Sequence, residues 1–395
     1  MKNINSLYNF ALRNKEETLK TNLKVLVASC LMAAGVQAYA QSSVTLYGIV
    51  DNGLMYVHNS GGHSTQLAMT QGGEQPSRWG LKTSEDIGGG LSVITKLENG
   101  FDPNTGKLGQ GGLMFGRQAY VGLTNDKWGT VTFGRQYEPL TFIVQPIQGD
   151  YYLGGVFTSP GDIDNADSSI RVNNAVMWIS PTWGGFNLGA EYSFGGIAGS
   201  VASGQTYSGA ASYTFGPVTA AAGYLHIDNG NASLTTRGTT SAGSLFNSSV
   251  NSAYKSARSI NIARAGAAWT VGPVVLGGYY SFSEYSPDSA SSFKVSQKYQ
   301  VGSVYAVWNV TPAFQTEIGY TYMKSHGDSS ASQNQVGIAA DYLLSKRTDV
   351  YAFGGYAHAS GTNGSGPAQA VIGSWDIDSG ASTQGLVMVG IRHKF

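Results

Sequence analysis

Residues 186–194 read FNLGAEYSF, so that every even position is apolar and every odd position is small or polar. Successive side chains of an extended chain point to opposite faces, and this alternation therefore puts all the apolar side chains on one face of a strand. The same pattern recurs at residues 218–227, 313–324, 348–358 and 384–395. A single segment of this kind would also suit a soluble sandwich, whereas its repetition along the chain favours one large sheet.

Counting the alternating segments predicts sixteen strands. They run over residues 44–57, 77–85, 91–101, 113–123, 130–137, 171–180, 186–194, 206–215, 218–227, 259–271, 274–284, 298–310, 313–324, 335–343, 348–358 and 384–395. Short connections such as Gly216-Pro217 alternate with long polar ones such as residues 228–258, as expected where one side of a membrane carries only tight turns. Strands of about ten residues, tilted by about 45°, span the ~25 Å apolar band of an outer membrane. The predicted fold is all-β, a sixteen-stranded antiparallel transmembrane β-barrel, which closes to satisfy its edges and is wide enough to enclose water.

The N-terminal region has the pattern of an export signal. Residues 25–36 form an apolar run that follows four basic residues and precedes Ala38-Tyr39-Ala40. Small residues at the first and third positions of that triplet predict cleavage after Ala40, and the run is shorter than the ~20 residues needed to span a bilayer. The alternative is a buried helix of a soluble domain. We expect residues 1–40 to be a signal peptide and residues 41–395 to form the barrel.

Composition excludes several classes of protein. Without residues 1–40, which hold five of the 24 basic and two of the 24 acidic residues, the chain has a formal charge of about −3. No strongly basic field is present to attract nucleic acid. Long apolar runs are missing from the mature sequence, which excludes a helical membrane protein. The only cysteine, Cys30, lies in the predicted signal, so we expect stability to come from a closed hydrogen-bonded ladder rather than from disulfides.

Several segments resemble strands of the general diffusion porins of Gram-negative bacteria, in the style of the beta-proteobacterial branch. They are residues 43–48 (SVTLYG), 77–82 (SRWGLK), 115–123 (FGRQAYVGL), 132–137 (TFGRQY) and 390–395 (GIRHKF), the last ending in a C-terminal Phe. The resemblance implies a multi-pass protein of the outer membrane, surrounded by its lipids, that forms a water-filled channel for passive diffusion of small hydrophilic solutes and ions. It also implies a homotrimer and no cofactor.

The resemblance further implies that the third long loop, residues 138–170, folds inward and narrows the pore. Its acidic candidates are Asp150, Asp162, Asp164 and Asp167. A basic wall faces the loop in the family, and the strand motifs put that wall at Arg78, Arg117 and Arg171, with Lys82 and Arg135 as further candidates.

Period-two geometry supports part of this basic wall independently. If Trp79 and Leu81 face lipid, then Arg78 and Lys82 face the lumen, where a charge is solvated; an arginine on the lipid face at the midplane would cost ~2–4 kcal/mol. The same alternation turns Arg171 inward, whereas Arg117 is placed by its strand motif alone. Arginines that face a modestly acidic loop predict a mild preference for anions.

The sequence also contains residues that could belong to other sites or support other functions. The tyrosine and tryptophan residues near strand ends suit aromatic girdles at the membrane interfaces; they are Tyr47, Trp128, Trp183, Trp269 and Trp308. Four histidines fall near the predicted outer rim without the spacing of metal ligands; they are His58, His226, His326 and His358. A barrel enzyme would need a nucleophile, a base and an orienting acid at one height, and the sequence offers no such set. A substrate-specific channel stays open as the main alternative and a barrel enzyme as a weaker one, whereas the long third loop argues against an adhesive barrel.

Overall fold

A computed structural model describes residues 42–238 and 245–395, and the predicted signal peptide lies outside these described residues. The strands are β1 Ser43–Ser60, β2 His63–Gln71, β3 Arg78–Asp86, β4 Leu91–Gly100, β5 Gln118–Asn125, β6 Gly129–Gln136, β7 Val172–Ile179, β8 Phe186–Ser193, β9 Thr206–Phe215, β10 Val218–Asp228, β11 Ser259–Val271, β12 Val274–Ser286, β13 Gln297–Thr311, β14 Phe314–His326, β15 Ala331–Leu343, β16 Thr348–Asn363, β17 Gly366–Pro367 and β18 Thr383–Lys394.

These strands form one closed antiparallel sheet. Consecutive strands pair in register, and β1 pairs with β18 from Ile49–Lys394 to His58–Gly385, which closes the ring. β2 and β3 both pair with β1 and together make the second strand of the wall, while β17 is a two-residue bridge in a loop. Counted over the described residues, the wall has sixteen strands, and the predicted sixteen-stranded antiparallel barrel is confirmed. Among these same residues, no helix is both long and apolar enough to cross a membrane.

Side-chain exposure alternates along the strands as the sequence pattern predicts. In β13, Tyr299, Val301 and Tyr305 are buried, whereas Val304 and Trp308 are more than half exposed. The exposed set lies on the outer face of the barrel and the buried set on the inner face. A barrel whose outside is apolar is the arrangement that a hydrocarbon environment requires.

Several predicted boundaries are wrong by four or five residues; β15, for example, starts at Ala331 instead of residue 335, and β16 ends at Asn363 instead of residue 358. Two further differences change the description of the wall. The strand predicted to start at residue 113 begins at Gln118, because residues 113–117 belong to the preceding connection. The long loop predicted after the first strand is instead a hairpin, in which β1 turns at Gly61-Gly62 and returns as β2. Both glycines have positive φ (58° and 80°), which the tight turn requires.

The strands on one side of the barrel are shorter than those on the other. We call the side with the shorter strands the low wall and the side with the longer strands the high wall. Strands β3 to β8 have 8 to 10 residues each, whereas β11 to β16 have 13 to 16. The barrel is therefore asymmetric about its axis.

The connection between β6 and β7 packs against the inner wall on the high side. It contains two short helices, α1 Pro139–Ile143 and α2 Asp150–Leu153. α1 begins with a proline and is capped by Glu138, whose carboxylate accepts the amide N–H of Thr141 at 3.0 Å. Three hydrogen bonds reach β13, β14 and β15: Tyr305 Oη to Ile147 O at 3.0 Å, Leu153 N to Glu317 Oε2 at 3.1 Å and Gln335 Nε2 to Val156 O at 2.7 Å.

Inward-facing glycines make room for this connection. A Cβ built on Gly223 would lie 2.5 Å from Leu140 Cγ, and one on Gly266 would lie 2.8 Å from Ile147 Cδ1. On β14, a Cβ on Gly319 would lie 2.7 Å from Phe157 Cδ1. We call these three residues the glycine track. The loop's apolar side chains occupy the space that larger wall residues would fill, so the hydrophobic core of the barrel is the layer between loop and wall.

Candidate functional site

Tyr137 brings two arginines together where β6 ends and the connection begins. Arg117 Nη2 and Arg171 Nη2 donate to the Tyr137 hydroxyl oxygen at 2.6 and 2.7 Å. The Arg171 guanidinium also lies over the tyrosine ring, 4.6 Å from its centroid, and donates to the carbonyl of Ser169 at 2.8 Å. Both guanidinium planes are therefore fixed relative to the wall.

Arg117 is paired with a carboxylate. Its Nε lies 2.8 Å from Glu98 Oε1, and both side chains are almost completely buried. Because β5 begins only at Gln118, Arg117 is not bound by the alternation of the strand, which is why parity gave no support for its inward position. Its backbone N–H donates to the Glu98 carbonyl at 3.2 Å.

Arg78, on β3, completes the cluster. It pairs in register with Gly100, and its charge interacts with those of Arg117 and Arg171. Among the described residues, Arg78 Nε, Arg117 Nη1 and Arg171 Nε have no hydrogen-bond partner, although all three atoms are buried from bulk solvent. Three positive charges and one carboxylate thus share this part of the wall, with donors left for another acceptor.

A second basic group lies next to this cluster on β3 and β4. Lys82 and Lys96 face each other in register, and their ammonium groups lie 5.7 and 5.6 Å from the centroid of Tyr47. Tyr47 donates to Glu98 Oε2 at 2.7 Å, and Lys96 lies 3.4 Å from the same atom. Sequence reasoning missed Lys96, although alternation along β4 puts Lys96 and Glu98, two positions apart, on the same face. The expectation that Tyr47 belongs to an outer aromatic girdle is wrong, since it contacts inward-facing residues.

Arg135 borders the cluster, and its charge interacts with that of Arg171, but its guanidinium is bonded to other groups. Its Nε donates to the Gly116 carbonyl at 2.8 Å and its Nη1 to Asn173 Oδ1 at 2.5 Å. It shares parity with Phe133, which is about half exposed on the outer face, and a register shift follows between Gly134 and Gln136.

Two of the acidic candidates line open space. Asp150 and Asp167 border a cavity of about 500 Å³ inside the barrel, together with Glu74 and Asp102. Asp167 is half-buried and accepts a hydrogen bond from Ser374 Oγ at 2.5 Å, while Asp150 accepts one from the Gln145 amide at 2.8 Å. Both side chains therefore contribute carboxylate groups to the lining of this cavity.

The other two acidic candidates hold the loop in shape. Asp162 accepts the amide N–H groups of Asp167 and Ser169 at 2.8 and 3.1 Å. Asp164 is fully buried, and its carboxylate accepts hydrogen bonds from Ser159 Oγ at 2.6 Å and from Ser281 Oγ on β12. Neither carboxylate is aimed at the open lumen.

The described residues contain no group of three or more His, Cys, Asp or Glu side chains arranged to hold a metal ion. His226 is bonded to Asn261 Oδ1 at 2.7 Å and stacks on Tyr207, with ring centroids 4.6 Å apart.

Both the sequence and the structure are similar to those of known outer-membrane proteins. The sequence pattern of the Gram-negative porin family matches residues 25–362. The chain is 30% identical over 409 aligned residues to an outer-membrane porin protein of Bordetella pertussis, with 94% of this chain and all of the relative covered. It is 28% identical to outer membrane porin protein 32 of Delftia acidovorans, over 94% of this chain and 99% of the relative.

Solved structures share the fold. An anion-selective porin from Comamonas acidovorans superposes with a TM-score of 0.70 at 24% identity, covering 90% of this chain and all of that one. The trimer form of OmpT, an outer-membrane protein of Vibrio cholerae, superposes with a TM-score of 0.63 at 16% identity, covering 90% and 99%.

Proposed function

Since the chain belongs to the family of Gram-negative porins and is an outer-membrane channel for passive diffusion, we propose that its pore is narrowest beside the arginine cluster and prefers small anions. Family membership also makes it a channel rather than an enzyme. The observation that carries the anion preference is the set of three buried guanidinium nitrogens without a partner among the described residues, on Arg78, Arg117 and Arg171.

The charge balance around the narrow part of the pore supports this preference. Five basic side chains face the lumen here, namely Arg78, Arg117, Arg171, Lys82 and Lys96. The carboxylate of Glu98 lies within this basic wall. Those of Asp150, Asp167, Glu74 and Asp102 border the cavity, where Glu74 is paired with Arg392. A surplus of positive charge in a narrow passage with low-dielectric walls attracts anions and repels cations. The anion-selective porin of Comamonas acidovorans, whose fold this chain shares, supports the same direction.

The loop between β6 and β7 is the element that we propose narrows the pore. Its hydrogen bonds to β13, β14 and β15 hold it against the high wall, and two of its carboxylates line the open space that remains. Solutes then pass between the loop and the basic low wall formed by β3 to β7.

We propose that the working unit is a homotrimer in the outer membrane, in contact with its lipids. The exposed large apolar side chains of β1, β5 and β18 are aliphatic apart from Tyr56; they are Val44, Leu46, Val50, Leu54, Val121, Leu123, Val387, Val389 and Ile391. By contrast, exposed aromatic residues follow one another around β8 to β16; they are Phe186, Tyr192, Tyr207, Tyr213, Phe215, Tyr224, Trp269, Tyr280, Trp308, Tyr320, Tyr322, Tyr342 and Tyr356. Aromatic girdles mark lipid contact, so the aliphatic face is the one suited to another subunit.

Residues 1–40 are proposed to be removed on export. The mass of protein purified from outer membranes should then correspond to a chain that starts at Gln41, whereas a mass that includes residues before 25 would contradict the proposal.

The anion preference is tested by replacing Arg78, Arg117 and Arg171 one at a time by Ala. Each change should raise single-channel conductance in planar bilayers and shift the reversal potential in a salt gradient towards cations, because a guanidinium keeps its charge at every working pH. His226→Ala is the control, since this residue packs on Tyr207 away from the cluster. Reversal potentials equal to the parent's in all three arginine variants would refute the assignment of the basic wall.

A further inference from the structure

The second strand of the wall is interrupted by an inward excursion. Above the break Asn52 of β1 faces Gln71, and below it Ile49 faces Arg78. Two residues of β1, Val50 and Asp51, therefore lie opposite the six residues 72–77, and four residues more than a regular ladder needs are displaced from the wall. We call residues 72–77 the excursion.

A single carboxylate organises the excursion. Asp51 Oδ1 accepts the amide N–H of Gly73 at 3.2 Å, and Oδ2 accepts those of Glu74 and Gln75 at 2.9 and 2.8 Å. Tyr351, on β16, donates its hydroxyl to Oδ1 at 2.6 Å. Asp51 is completely buried, so one carboxyl group with four donors holds three consecutive peptide units in one arrangement.

Further contacts fix the excursion on the lumen side of the wall. Ser77 Oγ bonds both the backbone N–H and the carbonyl of Asp51, at 3.1 and 3.0 Å. Glu74 lies 3.4 Å from Arg392 of β18. A Cβ on Gly73 would lie 2.1 Å from the Tyr351 hydroxyl, so only glycine allows this close approach.

The excursion meets the tip of the loop between β6 and β7. A Cβ on Gly154 would lie 2.6 Å from the Gly73 carbonyl oxygen, and Gly154 has a φ of 95°, which favours glycine. The cavity inside the barrel is bordered by Gly72 and Glu74 on one side and by Asp150 and Gly154 on the other. The lumen is thus closed off where loop and excursion touch, beside β1, β16 and β18.

We propose that the excursion is a second narrowing element of the pore and that Asp51 is the residue that positions it. By holding residues 72–77 against the loop tip, Asp51 limits the size of solute that passes and leaves the charge preference to the arginines. This inference rests on the proposed role of the loop as the first narrowing element.

The first test is Asp51→Asn. Asparagine keeps the volume, but its NH₂ group cannot accept a hydrogen bond. In one orientation it faces the N–H groups of Glu74 and Gln75, and in the other it faces the donors Gly73 and Tyr351. The excursion should be released, so that single-channel conductance rises and larger sugars enter proteoliposomes in swelling assays, with the reversal potential near that of the parent. Glu191→Gln is the matched control: it removes a buried carboxylate from the inner face of β8, which does not contact the excursion.

A second variant covers the case in which Asp51→Asn does not fold. Replacing residues 72–77 by two threonines removes the four extra residues and makes the register with β1 continuous. The barrel should still form, as judged by heat-modifiable mobility in electrophoresis, and the size limit should rise.

The outcomes separate this inference from the proposed function. Wider pores in Asp51→Asn or in the repaired strand, with no change in Glu191→Gln, support it. A folded variant with the parent's conductance and size limit overturns it, and so does an equal change in Glu191→Gln, which would show an effect of charge alone. If the three arginine variants leave selectivity unchanged while the excursion variants widen the pore, the anion preference fails and the present inference stands.

Discussion

Tyr137 shows how a neutral side chain can organise a charged site. Two guanidinium groups share its hydroxyl oxygen, so both lone pairs are used and the two arginines keep a fixed separation. Parity could turn Arg78 and Arg171 inward from the sequence alone. It could not reveal that a tyrosine at the end of β6 would join arginines from two other segments, because that contact depends on where the loop leaves the wall.

Replacing Tyr137 by Phe should show how much the fixed position of the two arginines matters, because the change releases both guanidinium groups and leaves the number of charges unchanged. The ring and its edge contact with Phe142 (centroids 6.3 Å apart) persist, but two donors lose their acceptor, at a cost of roughly 1–3 kcal/mol where water cannot replace it. We expect higher conductance noise, an unchanged sign of selectivity and a small loss of stability in urea unfolding from lipid. A reversal of selectivity would contradict the view that this tyrosine acts only by positioning.

Asp167 and Asp164 provide a matched pair for the acidic side of the pore. Asp167→Asn should strengthen anion preference, since this carboxylate lines the open cavity. Asp164→Asn should leave reversal potentials almost unchanged and loosen the loop, because its carboxylate is buried against Ser159 and Ser281. Bilayer recordings of both variants in the same salt gradient test the contrast, and equal shifts would contradict it.

Asp376 should make the pore sensitive to pH. Burial and the nearby carboxylates of Asp167 and Asp378 raise the pKa of Asp376 to about 7. A raised pKa means that the folded state favours the protonated form, so the contribution to stability is present below the ordinary pKa near 3.9 and is lost as pH rises through about 7. Asp376 follows Trp375 in the sequence and its charge interacts with that of Asp167, and both of these residues border the cavity. Protonation of Asp376 removes a negative charge beside the pore, so anion preference should be stronger at pH 6 than at pH 8. In Asp376→Asn, reversal potentials should show a smaller difference in anion preference between these two pH values. A difference as large as the parent's would mean that other groups cause the pH dependence.

The glycine track explains how an all-β wall accommodates a loop with its own apolar core. Gly223→Val should press on Leu140, displace the loop and cost about 1–3 kcal/mol, the usual penalty of overpacking. Conductance should fall, because a loop pressed away from the high wall moves into the passage between the loop and the low wall. Gly302→Val is the control, since a Cβ on that outward-facing glycine of β13 meets no atom within 4 Å among the described residues. Equal effects of the two changes in bilayer recordings and in unfolding would refute the view that the glycine track makes room for the loop.

The strands themselves were largely predictable, and the exceptions have physical causes. β11 and β12 were predicted to lie on either side of Gly272-Pro273, and they do, because that pair ends one strand and starts the next in two residues. β2 was missed because its side chains are largely exposed on both faces, so no alternation marks it. The excursion could not be predicted, since Asp51 and Tyr351 are separated by 300 positions.

Assembly should depend on the aliphatic outer face. Val389→Arg puts a charge in the middle of β18, next to Leu54 of β1, where a cation in an apolar setting costs ~2–4 kcal/mol. We expect trimers to fall apart in native electrophoresis while single barrels still conduct. Ile338→Arg, at an equally exposed position of β15 on the aromatic side, should destabilise the barrel against lipid without separating subunits. Loss of trimers in the β15 variant alone would move the interface to the other face.

Closure of the ring by β1 and β18 also has a kinetic consequence. Gly48 and Phe395 exchange both backbone hydrogen bonds, at 3.1 and 3.0 Å, so the last pairing joins the two ends of the described chain. Before contacts between such distant parts of the sequence can stabilise the fold, the chain must lose the conformational entropy of closing a very long loop. Folding should therefore be slow, and the edge of β1 stays unpaired and open to aggregation until β18 has been added to the sheet. A truncation of only the last strand would leave a sheet with every other strand present and no way to become a barrel.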